Sequence, residues 1–140
     1  MIFADTSALL AALADDDRSH RAARRAETAL RSAREELWTI DPVLTELWQL
    51  LRRGFGPDRA DALLAGLLDR GIRREALADG DYVRAREIGR EWPHGGLSLT
   101  DRQAFAVMER TRRYRAWSYD SDFSMVKLGP GRPRAIQLVR

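Results

Sequence analysis

The stretch Ile2-Phe3-Ala4-Asp5-Thr6-Ser7 predicts a strand that ends at a carboxylate and passes directly into a helix. Its apolar run has the length of a short buried strand, and the Thr-Ser pair is a helix-capping signal. The alanines and leucines of residues 8–13 then predict a short helix. A buried strand followed by a helix is the repeating unit of an α/β domain with a parallel sheet.

The same alternation of strands and helices continues along the 140 residues. Asp41-Pro42 predicts a helix with Asp41 as its N-cap, and Thr100 is the expected cap of a later helix. The sequence therefore predicts one α/β domain, residues 1–140, with a mostly parallel sheet. The expected helices cover 19–32, 42–54, 57–71, 81–91 and 100–113, and the expected later strands cover 37–40, 72–77, 116–119 and 135–139.

Composition excludes several kinds of chemistry. The chain has no cysteine, which removes disulfides, thiolate metal sites and cysteine nucleophiles. Its two histidines, His20 and His94, lie outside any HExxH pattern, so zinc and histidine-triad chemistry are not expected. The sequence has neither a basic leader nor an apolar run near the roughly 20 residues of a spanning helix, so we expect a cytoplasmic protein without membrane contact.

The basic residues are nearly all arginine. The formal net charge is +3, and Lys127 is the sole lysine among 24 basic residues. Arginine binds phosphate through a planar fork, so this composition is compatible with a nucleic-acid partner. Codon bias in a GC-rich genome would produce the same composition, and both interpretations stay open.

Four acids are the candidate functional residues. Asp5 and Asp120 follow predicted strands, and ligands of open α/β sheets bind beyond the carboxyl ends of strands. Asp101 lies on the apolar face of its own helix, where a buried carboxylate needs a cation or hydrogen-bond donors. Glu46 flanks the apolar face of a mid-chain helix. Taken singly, each acid has an ordinary interpretation as a turn, cap, first-turn or solvated residue.

Taken together, the acids predict a site for a hard divalent cation. Mg²⁺ binds through oxygen ligands, and clustered carboxylates repel one another unless a metal neutralises them. We predict Asp5, Asp101 and Asp120 as metal ligands, with Glu46 completing the catalytic set directly or through water.

Four motifs give the chain a resemblance to a known family. In their order and spacing they resemble the PIN-domain family over essentially the whole chain, and within it the VapC toxins of bacterial toxin–antitoxin pairs. Ser118 departs from the threonine usual there, and Asp122 is an additional acid. The motifs are Asp5-Thr6-Ser7-Ala8-Leu9, Thr45-Glu46-Leu47, Leu97-Ser98-Leu99-Thr100-Asp101 and Ser118-Tyr119-Asp120-Ser121-Asp122-Phe123.

The resemblance implies a three-layer α/β/α sandwich with a carboxylate pocket for one or two Mg²⁺ or Mn²⁺ ions. It further implies an endoribonuclease toxin that cleaves tRNA or rRNA by metal-activated water and forms a homodimer neutralised by a small antitoxin. Such hydrolysis does not need the 2′-OH, so the products should carry 5′-phosphate and 3′-OH ends. Thr6, Ser98 and Ser118 are expected supporting residues, and Asp122 is a possible outer member of the site.

Other interpretations remain open at this point. Arg102, Arg110 and Arg112 could steer phosphate, although solvated helix arginines are common. Leucines and Trp48 of the central helices are first of all core residues, and any excess could form a dimer face or an antitoxin groove.

Two rival functions belong to other classes. One is a non-catalytic RNA- or partner-binding PIN-like module, which four intact acids disfavour because a binding site for a polyanion gains nothing from negative charge. The other is an aspartyl-phosphate receiver at Asp5, which the serine at position 7 and the late position of Lys127 disfavour.

Overall fold

A computed structural model describes residues 1–129, 131 and 133–140. The strands are β1 (Ile2–Ala4), β2 (Leu37–Thr39), β3 (Arg73–Arg74), β4 (Arg115–Trp117), β5 (Lys127–Leu128), β6 (Arg134–Ala135) and β7 (Gln137–Val139). The helices are α1 (Thr6–Leu13), α2 (His20–Ser32), α3 (Asp41–Phe55), α4 (Pro57–Asp69), α5 (Asp79–Glu91), α6 (Leu99–Thr111) and α7 (Asp122–Met125). In the described ranges, no helix is both long and apolar enough to cross a lipid bilayer.

The central sheet is parallel throughout and has the strand order β3-β2-β1-β4-β7. Consecutive strands are added on one side of β1 as far as β3, whereas β4 pairs with the other side of β1. The chain therefore changes direction across the sheet between β1 and β4, which is where open α/β sheets bind ligands. Helices flank this sheet, and the predicted fold class is confirmed.

Apolar side chains of the sheet and of the helices form the core. Ile2, Phe3 and Ala4 are fully buried, as a short strand in the middle of a parallel sheet requires. Phe3 packs edge-on against Trp38 of β2, with ring centroids 4.9 Å apart. Phe105 of α6 and Phe123 of α7 pack with centroids 4.8 Å apart, which ties the last helix to the same core.

Two predicted boundaries of α3 are wrong by a residue or two. Ile40 is the N-cap and Asp41 is already helical, so the Asp41 carboxylate binds Arg74 at 2.7 Å instead of capping the helix. The helix ends at Phe55 and not at Gly54, since Gly56 is the residue with φ of +81° that turns the chain into α4.

The later boundaries also needed correction. Thr100 does not cap α6: Ser98 is the N-cap, and its hydroxyl accepts a hydrogen bond from the Asp101 amide at 3.1 Å. Strand β4 ends at Trp117, so Asp120 follows a short loop and not the strand itself.

The chain after β4 folds differently from the prediction. Helix α7 and strand β5 were not expected, and the single strand predicted over 135–139 is divided. Its first part, β6, pairs antiparallel with β5, while β7 joins the main sheet beside β4. Short elements of two to four residues carry too little periodicity to be recognised from sequence.

Candidate metal centre

Asp5 lies at the carboxyl end of β1, where it is the N-cap of α1 and only 3% exposed. Its Oδ2 accepts hydrogen bonds from the Ser7 hydroxyl at 2.7 Å, the Ser7 amide at 3.3 Å and the Ser118 hydroxyl at 2.9 Å. All three bonds end on Oδ2, which leaves Oδ1 for a cation. Burial raises the pKa of Asp5, and these hydrogen bonds only partly oppose that rise.

Three further acids lie close together near the same carboxyl end of the sheet. Asp101, Asp120 and Asp122 each place a carboxylate oxygen within 4.8 Å of the other two. Asp120 is held in place by its backbone and its side chain. Its amide donates to the Ser118 hydroxyl at 3.0 Å, and its Oδ1 accepts from the Asp122 amide at 2.9 Å.

The Ser118 hydroxyl links Asp5 to this cluster, because it donates to Asp5 and accepts from the Asp120 amide. Burial raises the pKa of Asp101 to about 7, and the negative charges of Asp5 and Asp120 add to the rise. Burial and the charge of Asp120 also raise the pKa of Asp122. These carboxylates therefore repel one another in the absence of a cation.

Glu46 approaches the site from α3. Its Oε2 accepts a hydrogen bond from the Thr6 hydroxyl at 2.9 Å, and Thr6 is the residue directly after Asp5. Within the described chain, the 4.8 Å group does not include Glu46 or Asp5. The sequence-predicted acids thus lie at one end of the sheet, with Asp101 and Asp120 in the tightest group and the other two at its border.

None of the acids has a basic partner among residues 1–129, 131 and 133–140. Among the described residues, no salt bridge involves Asp5, Glu46, Asp101, Asp120 or Asp122. An all-oxygen donor set with uncompensated negative charge suits a hard divalent cation. The residues present therefore fit a divalent metal ion.

Two of the three arginines considered for phosphate binding lie away from the acids. Asp101 is in the first turn of α6, whereas Arg110 and Arg112 are at its other end, and a helix of 13 residues is about 20 Å long. Arg110 is also engaged by Asp81 at 2.9 Å. Arg102 stays near the acids, but its Nε donates to the Leu97 carbonyl oxygen at 3.0 Å.

Sequence reasoning underestimated two residues of this region. Ser7 was read only as a capping signal, yet its hydroxyl donates to Asp5 and accepts from the Tyr119 amide at 2.9 Å. A hydroxyl two residues after a strand-end aspartate was the available signal. For Asp122 the sequence left the place in the site open, with Asp120 the better match to the fourth acid, and Asp122 lies within the tightest group of acids.

Comparison with known proteins decides the family. The PIN domain model matches residues 2–128, a range that contains all five acids. The chain belongs to the PIN-domain family. The resemblance seen in the sequence motifs is thereby confirmed.

One relative of this chain is the toxin VapC20. The chain is 32% identical over 133 residues to the 23S rRNA-specific endonuclease VapC20 of Mycobacterium tuberculosis, covering 95% of this chain and 99% of VapC20. The crystal structure of VapC20, described as a Sarcin-Ricin loop cleaving toxin, matches with a TM-score of 0.78 at 30% identity, over 89% of this chain and 93% of that one.

A more distant PIN-domain structure shares the fold. VapBC2 from Rickettsia felis, bound to a DNA fragment from its promoter, matches with a TM-score of 0.65 at 14% identity. The match covers 86% of this chain and 89% of that one. At this level of identity the likeness concerns the fold alone.

Proposed function

We propose that this protein is a metal-dependent endoribonuclease and the toxin of a VapBC-type toxin–antitoxin pair. The observation that carries the proposal is the group of carboxylates near the carboxyl ends of β1 and β4 of a PIN domain, which have no basic partner in the described part of the chain. The 32% identity to the endonuclease VapC20 over 95% of the chain supports the same activity. The apolar core runs from Ile2 to Ile136, which supports treating residues 1–140 as one nuclease domain.

Asp5, Asp101 and Asp120 would hold the ion, and Asp122 lies close enough to Asp120 to contribute. Mg²⁺ is the proposed metal, with Mn²⁺ as an alternative, because every candidate ligand is a carboxylate oxygen. When bound, such an ion would polarise water and offset negative charge on the phosphate.

The protein itself fixes the carboxylates before substrate arrives. Ser7 and Ser118 hold Asp5 through one oxygen, so its other oxygen keeps a fixed direction. Thr6 holds Glu46 at the border of the site, where the free carboxylate oxygen can orient water or accept a proton from it. Ser98 acts on Asp101 indirectly, by capping the helix that carries it.

The proposed substrate is structured RNA, either tRNA or rRNA. The name of VapC20 favours 23S rRNA as the first substrate to test. The proposed partners are a small antitoxin, in line with the VapBC assemblies that share its fold, and a second copy of this chain. An activity on such RNA would place the protein in the cytoplasm.

Cleavage of 23S rRNA and total tRNA with Mg²⁺ tests this function. We expect cleavage that EDTA abolishes and fragments with 5′-phosphate and 3′-OH ends. Asp5→Asn and Asp101→Asn should each lower the rate by at least about 100-fold, since each removes a charge that acts on the reacting centre. Glu87→Gln, which neutralises an exposed, arginine-paired carboxylate, is the matched control and should cleave normally.

Cleavage that resists both EDTA and the two substitutions would reject this mechanism. The second candidate, a binding module without turnover, predicts a different pattern. A folded protein that binds Mn²⁺ and RNA but cleaves neither 23S rRNA nor tRNA would favour that module.

A further inference from the structure

A cavity of about 620 Å³ opens directly beside the acids. It lies between α3 and the first turns of α6, and the segment before α5 closes its third side. Glu46 lines this cavity and also borders the acid cluster through Thr6. A molecule that occupied the cavity would therefore be adjacent to a phosphate held at the acids.

Gln103 gives the cavity a polar side chain. Its side chain lines the cavity, yet the residue is only 5% exposed. Within the described residues, the Gln103 amide forms no hydrogen bond to protein. Its nitrogen and oxygen are not among the buried side-chain atoms without a partner, so they open to the cavity and can pair with what enters it. It can donate and accept at once, as the edge of a planar heterocycle requires.

Two large side chains lie open at the cavity wall. Tyr82 of α5 is 52% exposed, and Leu99 of α6 is 61% exposed. An exposed aromatic ring beside a polar pocket is the usual platform on which single-stranded nucleic acids stack their bases. Leu99 supplies a second apolar surface for the same planar ligand.

The cavity wall carries acidic side chains, two of which are paired with arginine: Asp41 with Arg74 at 2.7 Å and Glu75 with Arg113 at 3.1 Å. Asp41, Glu46 and Glu75 line the cavity, and none of the described lining residues is arginine or lysine. A neutral group is therefore favoured over an anion. Exocyclic amino groups would also interact favourably with the acidic rim.

We propose that this cavity binds a nucleobase next to the scissile bond, with Gln103 hydrogen-bonding its edge and Tyr82 stacking on its face. The inference rests on the proposed function, because the nucleotide must be joined to a phosphate at the acids. It adds a site of base specificity, distinct from the carboxylates that carry out hydrolysis. Bases that carry an amino group should be preferred over uracil.

Fluorescence of 2-aminopurine tests base binding without turnover. The probe is a short single-stranded RNA with 2-aminopurine at its purine positions, titrated in Mg²⁺ with the Asp5→Asn protein. We expect quenching on binding, and a Kd at least about fivefold weaker after Tyr82→Ala or Gln103→Met. Tyr82→Phe should keep the signal because it keeps the ring. Val83→Ala and Gln137→Met are matched controls at exposed positions outside the cavity and should change nothing.

Cleavage of a randomised RNA pool gives the second readout. Gln103→Met in the otherwise unaltered protein should change base preference by about fivefold or more at one position beside the scissile bond, while cleavage itself persists. Unchanged preference, or absence of quenching in the Asp5→Asn protein, would overturn the proposal and favour a protein segment as the occupant. If the unaltered protein cleaves no RNA, the proposed function fails, and the fluorescence titration still decides the base site.

Discussion

Acidic side chains are paired with arginine on the α5–α6 face of the molecule, whereas those at the carboxyl end of the sheet have no arginine partner among the residues that the structure describes. On the first face, Arg110 binds the buried Asp81 at 2.9 Å. Arg84 donates to three glutamates, Glu87, Glu91 and Glu109. Hydrogen bonds to Glu109 and Glu91 raise the pKa of Arg84 above its ordinary value, so this arginine stays charged.

The acid cluster has the opposite electrostatics. Burial and then the charges of Asp5 and Asp120 raise the pKa of Asp101, and among the described residues no arginine forms a salt bridge with these acids. The chain is rich in arginine, so the lack of pairing there reflects where the fold places its basic residues and not a shortage of them. The comparison indicates that arginine pairing stabilises the α5–α6 face, whereas the carboxylate oxygens of the cluster are open to a cation.

The largest expected effect on stability comes from breaking the paired face at Asp81. This carboxylate is 2% exposed, accepts from Arg110 and also holds the Ala78 amide at the start of α5 at 2.8 Å. Asp81→Ala should lower the free energy of unfolding by about 3 kcal/mol, measured by urea denaturation. RNA cleavage per folded molecule should stay within about twofold of the unaltered protein. A loss of activity without a loss of stability would contradict the division between the two regions.

A smaller effect is expected from removing the hydroxyl of Ser118, which positions the acid cluster. Ser118→Ala removes the hydroxyl that joins Asp5 to Asp120, so kcat/KM for RNA should fall about tenfold, as for other residues that orient metal ligands. Ser118→Thr keeps the hydroxyl and should restore most of the activity. The apparent Mn²⁺ affinity, followed by calorimetry, should weaken in the alanine variant alone. Equal losses in both variants would indicate a packing defect instead.

The smallest effect concerns stability without metal. Asp101→Asn removes a carboxylate that its neighbours repel. In EDTA, the free energy of unfolding of the variant should therefore be about 1 kcal/mol higher than that of the unaltered protein. The gain that Mg²⁺ gives the unaltered protein should be reduced in the variant. Chemical denaturation with and without Mg²⁺ measures both differences. A variant less stable than the unaltered protein in EDTA would indicate that the cluster is not strained.

Much of the fold could be predicted because its main elements are marked locally. The apolar run before Asp5 and the leucines of α4 show the periods of a strand and a helix. Prediction failed where the sequence signal was weak or where two neighbouring residues carried the same signal. Ser98 and Thr100 are both capping residues, and only the chain geometry selects Ser98.

The sequence by itself determined the α/β class, the parallel sheet and the position of Asp5 at a strand end. These follow from local patterns, since a residue's place on a strand or helix depends on its neighbours in the chain. Tertiary structure alone decided that the Ser118 hydroxyl reaches Asp5 across 113 positions, that Asp122 joins Asp101 and Asp120, and that Gln103 is buried against a cavity. Such contacts depend on the pairing of β1 with β4 and on the packing of α3 against α6, which no local pattern encodes.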